Sequence, residues 1–372
     1  MNKRNIAALT GLRAVAAALV FFYHWFFQHV EVLPLLIRAP FKVGYVGVPI
    51  FFALSGFLIT IRYREAFATG AVSYGRYMWK RVLRFFPLYL FVVIAFVWAF
   101  GRPENMIPQS TAAWISTLTL TQSLFPDWIF LGTTVGWTLT IEMIFYALAP
   151  LMLRPVSDEQ SFLSIAGYFV LLSVVAIGLG IVVSGISAET PTLLGQDVPW
   201  LMHYTIFGHL PDFIVGMFAG ILYQRQRELP RLSTQIRPII TVSLLGMYGA
   251  MILLDLLGRP YGTFVDRSLA FLVSLFAAML ILGMSLDQSR TSATTRLLAS
   301  RAAVYLGVIS YALYLIQLTE PIQWLHWLAI GKYGGVENQI VRAILIYIIS
   351  TPIAMLLYEW VEKPLHKLLS RQ

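Results

Sequence analysis

Arg13-Ala-Val-Ala-Ala-Ala-Leu-Val-Phe-Phe-Tyr-His24 is the stretch that decides the fold: it is apolar enough to enter a bilayer, yet it keeps an arginine and a histidine eleven residues apart. An α-helix turns by about 100° per residue, so eleven steps return to within about 20° of the same face. At about 1.5 Å of rise per residue the two groups stand roughly 16 Å apart along that face, about half of a hydrocarbon core. A cation near one membrane surface and a titratable imidazole deeper in mark a path for a long anionic ligand. The same spacing also fits a blander arrangement, in which Arg13 snorkels to the headgroups and His24 belongs to an aromatic belt with its Phe, Tyr and Trp neighbours.

The rest of the chain keeps that apolar character. Of 372 residues 58% are hydrophobic and 12% charged, and the mean hydropathy is +0.73, which predicts an all-α integral membrane protein. Stretches able to cross a core of about 30 Å fall at 7–29, 43–61, 85–101, 137–153, 162–184, 204–223, 238–257, 267–286, 303–327 and 340–360, a bundle of ten expected spans. Nineteen Lys and Arg residues fall in the segments on the side of the N-terminus and six in the opposite ones, which places both termini in the cytoplasm. Residues 111–124 are apolar but short, and an extra span there would invert every later loop, so they read as a re-entrant or interfacial helix on the outer side. The sequence reads as one transmembrane domain over 1–372, with no appended soluble domain and with a retained first span in place of a cleaved signal.

The formal charge of +9 is dispersed between spans, which argues against a nucleic-acid partner and for membrane lipids as the surroundings. With no cysteine, disulfides, thiolate metal sites and a cysteinyl acyl-enzyme are excluded. The six histidines show no zinc-ligand spacing, so no metal is expected.

Topology gives the remaining polar residues a depth. His24 near the outer end of the first span and Glu142 near the outer start of the fourth lie at similar depth, so a carboxylate–imidazole pair is expected there, suited to general-base work on a hydroxyl. A structural ion pair or an isolated protonated Glu142 fits the same placement. In the second span Gly44, Gly47, Phe51 and Ser55 share one stripe that reads as helix packing, and Ser55 has no visible partner as a nucleophile. Arg81 and Arg84, three residues apart on one helix surface, suit phosphate oxygens, and with Arg76, Lys80 and Arg13 they make a cytoplasmic anion mouth. Ordinary positive-inside anchoring accounts for the charge but not for the grouping. Asp212, Gln317 and Glu320 line a polar cavity or pair between helices. Tryptophans such as Trp137 serve as sugar-stacking platforms or as interfacial anchors.

In order along the chain, Leu12-Arg13-Ala14 with His24, Gly44-x-x-Gly47-Val48 leading to Ser55-Gly56-Phe57, Arg81-x-x-Arg84, Trp137-Thr-Leu-Thr-Ile-Glu142-x-x-Phe145-Tyr146 and Ile309-Ser310-Tyr311-x-Leu313-Tyr314 resemble the membrane acyltransferase-3 family. That family includes bacterial O-antigen acetylases, nodulation-factor acetylases and macrolide acyltransferases. The resemblance covers nearly the whole chain. It implies transfer of an acyl group, acetyl above all, from a cytoplasmic acyl-CoA to a hydroxyl of a carbohydrate or glycolipid at the outer side of the bacterial cytoplasmic membrane. It implies too that Arg13, His24 and the basic motif are required. Many members carry a second acidic residue after the Glu142 equivalent and a histidine at the position of Gln317, whereas this chain has Met143 and Gln317, which points to a different acceptor.

Two chemical routes fit these residues: direct attack by a hydroxyl deprotonated by His24 with Glu142 orienting it, or an acetyl-imidazole relay through His24. Acetyl-CoA would be held by Arg13, Arg76, Lys80, Arg81 and Arg84, and Trp137, Asp212, Gln317 and Glu320 are the further candidates for the acceptor. A transporter or flippase for a lipid-linked glycan is the principal rival, since buried charges in a bundle also suit a substrate pathway.

Overall fold

The computed structural model describes residues 3–97, 107–187, 197–258, 260–330 and 336–369, and among these there is no β-strand. The helices that matter here are α1 (Lys3–Phe26), α2 (Leu35–Lys42), α3 (Gly47–Ala68), α4 (Tyr74–Val92), α5 (Thr111–Leu118), α6 (Gly136–Leu153), α7 (Phe162–Ser187), α8 (Val198–Tyr204), α9 (Ile206–Gln224), α10 (Ile236–Leu257), α11 (Phe264–Leu286), α12 (Arg301–Ile316), α13 (Glu320–Ile330) and α14 (Val336–Leu357). Eight helical stretches are long and apolar enough to cross a membrane. The chain is an all-α membrane protein.

The eight stretches coincide with eight of the ten expected spans. The expected span 85–101 falls on the second half of α4 and a π turn at Val93–Val97, and its last residues lie outside the described ones. Its helix begins earlier than expected, at Tyr74, because the Ser73 hydroxyl accepts the Arg76 N–H and caps it. Arg81 and Arg84 thus share one helix, as their spacing requires. The expected span 303–327 is broken into α12 and α13. Pro321 has no N–H for the carbonyl of Gln317 four residues back, and that carbonyl accepts the Trp25 indole N–H instead, at 3.0 Å. Within the 111–124 segment α5 is a helix of 8 residues, too short to span, and the chain then turns at Leu120 with φ of 57°.

Contacts without side chains fix the position of α1. A Cβ on Gly47 would fall 2.3 Å from the Ala16 carbonyl oxygen, and one on Gly307 would fall 1.8 Å from that of Thr10. Only glycine lets α3 and α12 approach α1 this closely. Arg13 lies between Thr10 and Ala16 along α1, so its side chain enters the space between α3 and α12. At the far end of α1, α2 is tied to α10 by Asp255, which takes Arg38 at 2.8 Å and Lys42 at 3.1 Å, while Glu31 bridges the same two cations.

Candidate active site

Two connected chambers lie inside the bundle. The inner one, about 280 Å³, is bounded by α1, α3, α4, α6 and α12. The outer one, about 1300 Å³, is lined by Arg62, Arg76, Lys80, Arg81, Lys363 and Lys367 among others, and forms a cationic vestibule. Thr10, Arg13, Arg84, Tyr358 and Glu362 line both and form the neck between them.

Glu142 on α6 is one of two acidic groups on the inner chamber, the other being Glu362 at the neck. Its Oε1 accepts the Ser55 hydroxyl of α3 at 2.6 Å and the Tyr146 hydroxyl one turn along its own helix. Thr138 donates to the Val135 carbonyl at 2.8 Å, which spends its only hydroxyl proton, so at 2.9 Å Tyr314 is the donor to Thr138. The Tyr311 hydroxyl donates to the Phe85 carbonyl at 2.7 Å. A ring of committed hydroxyls therefore surrounds one carboxylate.

The two arginines of the basic motif are placed differently. Arg81 is buried, donates to the Tyr63 hydroxyl at 2.7 Å, and lies 5.0 Å from the Tyr63 ring and 5.7 Å from those of Tyr77 and Tyr146. It braces Tyr146, hence Glu142. Arg84 lies 5.3 Å from the Phe85 ring and, like Arg13, makes no ion pair or side-chain hydrogen bond among the described residues. Two guanidiniums without carboxylate partners in a membrane interior are costly unless an anion joins them.

The expected pairing of His24 with Glu142 is not formed. Glu142 is engaged by Ser55 and Tyr146, while His24 Nδ1 lies 2.9 Å from the Val20 carbonyl, with Gln317 beside the imidazole. The physical reason is lateral: α6 packs on α3, and α3 and α12 are the main neighbours of α1. Equal depth did not make the two groups neighbours. Because a carbonyl can only accept, Nδ1 carries the proton in the neutral ring and Nε2 keeps a lone pair. His24 lines neither chamber.

Of the remaining candidates, Arg76 and Lys80 line the vestibule. Asp212 is buried and clamps α9 to α11, at 2.9 Å from Arg267, 2.8 Å from His209 and 2.6 Å from Ser274. Trp137 packs 5.1 Å from Tyr204 and 5.9 Å from His209, away from the inner chamber. The side chain of Glu320 lies outside the described residues. Ser55, read as a packing residue without a partner, has one in Glu142, although Gly44 and Gly47 of the same stripe do pack against α1. Tyr358 and Glu362 were missed, since a hydroxyl and an acid beside Glu359 and Lys363 carry no distinct signal. Among the described residues no three His, Asp or Glu side chains converge to hold a metal ion.

Fold and site together define a polytopic helical membrane protein with a polar chamber inside its bundle and a cationic vestibule opening onto it. Residues 6–359 match the acyltransferase-3 family, described as an acyltransferase domain, and the chain belongs to that family. It is 23% identical to the O-acetyltransferase OatA of Staphylococcus aureus (strain NCTC 8325 / PS 47), with 98% of this chain and 58% of the relative aligned. It is 24% identical to the putative peptidoglycan O-acetyltransferase YrhL of Bacillus subtilis (strain 168), covering 98% of this chain and 55% of that one. The peptidoglycan O-acetyltransferase OatA of Listeria monocytogenes is likewise 24% identical, over 98% and 56%. The chain thus spans a little over half the length of these relatives. No solved structure matches it.

Proposed function

We propose that this protein is a membrane O-acyltransferase that moves an acetyl group from acetyl-CoA to a hydroxyl of a carbohydrate or glycolipid at the outer side of the bacterial cytoplasmic membrane. The observation that carries the reading is the neck, where Arg13 and Arg84 stand without carboxylate partners between a cationic vestibule and a chamber holding Glu142. The vestibule is large enough for a nucleotide, and Arg76, Lys80 and Lys367 supply charge for its phosphates. Peptidoglycan, named for two of the relatives, is a carbohydrate polymer and fits the acceptor class. The excess of Lys and Arg on the side of the N-terminus supports a donor arriving from the cytoplasm and ten spans with both termini there.

In the direct route the acceptor hydroxyl gives its proton to His24 Nε2, and its oxygen attacks the thioester carbonyl. Negative charge develops on the former carbonyl oxygen as the new C–O bond forms, while Arg13, roughly 16 Å from His24 along α1, serves the donor at the neck and not this oxygen. Collapse breaks the C–S bond, the acetyl ester leaves with the acceptor, and the thiolate takes the proton back from the imidazolium. Glu142 holds Ser55 and Tyr146 and fixes the wall of the chamber. The relay route differs in placing the acetyl group on His24 first.

Because the chain has no cysteine, a thiol-reactive dye registers only released CoA. The purified protein in detergent, given acetyl-CoA and peptidoglycan fragments, is expected to release CoA, with release abolished in His24→Ala. Binding of acetyl-CoA without release shifts attention to another acceptor. Neither binding nor release overturns the reading and brings the transporter forward.

A further inference from the structure

Glu362 is the group at the neck that the chemistry above leaves unused. It ends a π turn, Tyr358–Glu362, in which the Lys363 N–H reaches back five residues to the Tyr358 carbonyl. Pro364, with no N–H of its own, cannot restore the α-helical register at Trp360. Such turns re-aim side chains and are frequent at functional sites. Here the turn brings Glu362 onto the wall of both chambers, beside Arg13 and Arg84.

Arg13 and Arg84 act on the carboxylate through their charge, but neither bonds it. Among the described residues it makes no ion pair or hydrogen bond, its adjacent cation Lys363 is taken by Glu359 at 2.5 Å, and its Oε2 is shielded from solvent without a partner. An acceptor left in that state is unfavourable until a ligand supplies a donor. A carboxylate offers phosphate no donor, so the anionic part of a ligand is held by the cations of the vestibule and the guanidiniums of the neck, and not by Glu362. The part of a ligand that meets Glu362 is one that carries N–H or O–H groups.

Resting on the acyl-CoA reading, we propose that Glu362 is a hydrogen-bond-accepting subsite in the neck, taking an amide N–H of the donor's pantetheine arm while the phosphates remain in the vestibule. A carboxylate–amide bond is charge-assisted and stronger than a neutral one.

The test compares wild type, Glu362→Leu and Glu362→Gln by CoA release, with 3′-phosphoadenosine 5′-diphosphate as a competitor that carries the phosphates and lacks the arm. The expected result for Glu362→Leu is a KM for acetyl-CoA raised about ten- to a hundredfold, with the inhibition constant of the competitor unchanged or lower. Glu362→Gln, which keeps a carbonyl acceptor, stays within a few fold of wild type. An unchanged KM in Glu362→Leu overturns the subsite. So does a KM and an inhibition constant that rise together, which marks a damaged vestibule. Absence of both acetyl-CoA binding and CoA release in wild type overturns the acyl-transfer reading itself, and the subsite with it.

Discussion

The Ser55 hydroxyl is 2.6 Å from Glu142 Oε1, a bond that joins α3 to α6 across the wall of the inner chamber. Tyr146 supports the same oxygen from the next turn of α6, and Arg81 lies over the Tyr146 ring at 5.7 Å. Glu142 therefore stands at the end of a chain of contacts that starts in the vestibule. Removing a member has an effect that depends on how many supports remain.

Glu142→Gln is expected to lower kcat for CoA release by at least about a hundredfold, since an amide cannot accept from both hydroxyls with a charge behind it. Ser55→Ala leaves the Tyr146 bond in place and costs less than about tenfold. Steady-state kinetics with saturating acetyl-CoA separates the two. A total loss in Ser55→Ala, with the protein still folded, would show instead that the serine hydroxyl takes part in the chemistry.

Arg81 and Arg84 are expected to fail in different ways despite sharing a motif. Arg84→Ala removes an unpaired cation from the neck and raises the KM for acetyl-CoA by about 1.5–3 kcal/mol, a factor of roughly ten to a hundred and fifty. Arg81→Ala empties an aromatic cage and leaves the Tyr63 hydroxyl without its bond, so its first effect is on thermal stability in detergent. Equal shifts of midpoint in the two variants would contradict the division.

Which parts of this site were legible depended on which quantity a helix pattern carries. The cost of an arginine in an apolar segment made Arg13 visible, the grouping with Arg81 on one helix surface made Arg84 visible, and both line the neck. Periodicity also gave His24 and Glu142 a depth. It gives no azimuth between helices, so the interposition of α3 was hidden, and with it the true partner of Glu142. Ser55 was masked by the glycines of its own stripe, because small residues permit either packing or access and the pattern is the same for both. Glu362 lay among lysines at the end of a long apolar helix, where a charge normally marks the membrane surface, and only a one-residue change of helical register turns it inward.

Close packing around α1 is testable with glycines alone. Gly307→Ala would set a Cβ 1.8 Å from the Thr10 carbonyl oxygen, and backbone cannot yield cheaply, so a loss of folded material in size-exclusion chromatography is expected. Gly249→Ala in α10 meets nothing within 4 Å, and helix propensity alone predicts a gain of up to about 1 kcal/mol. The contrast checks the packing and not a general sensitivity to substitution.

Asp287, just past α11, controls the turn that follows. Its Oδ1 accepts the Thr291 N–H at 2.8 Å and its Oδ2 the Ser292 N–H at 3.0 Å. Burial pushes its pKa up, but these N–H bonds, with that of the Thr291 hydroxyl at 3.0 Å, outweigh it and hold the carboxyl below its ordinary value. A carboxyl with a depressed folded-state pKa stabilises the fold above its unfolded value, near 3.9, and loses that contribution as the pH falls through the folded value. Asp287→Asn is thus expected to lower stability by about 1–2 kcal/mol at neutral pH, and the two proteins should converge in acid.

The break between α12 and α13 rests on Pro321 and on the bond from the Trp25 indole to the Gln317 carbonyl, and the two contributions can be separated. Trp25→Phe keeps the ring packing and removes only the N–H, leaving the Gln317 carbonyl without its partner while Pro321 still prevents a helical one. Pro321→Ala supplies the missing N–H and offers that carbonyl a bond within a continuous helix. The double variant is therefore expected to recover stability that Trp25→Phe loses, about 1 kcal/mol, and to do so by joining the helices. Gln317 lies beside His24, so straightening the chain there moves the imidazole's neighbour. Recovered stability accompanied by lost CoA release is the expected outcome of a thermal and kinetic comparison of the four proteins. Recovered stability with full activity would show that the break is needed for neither His24 nor the chemistry.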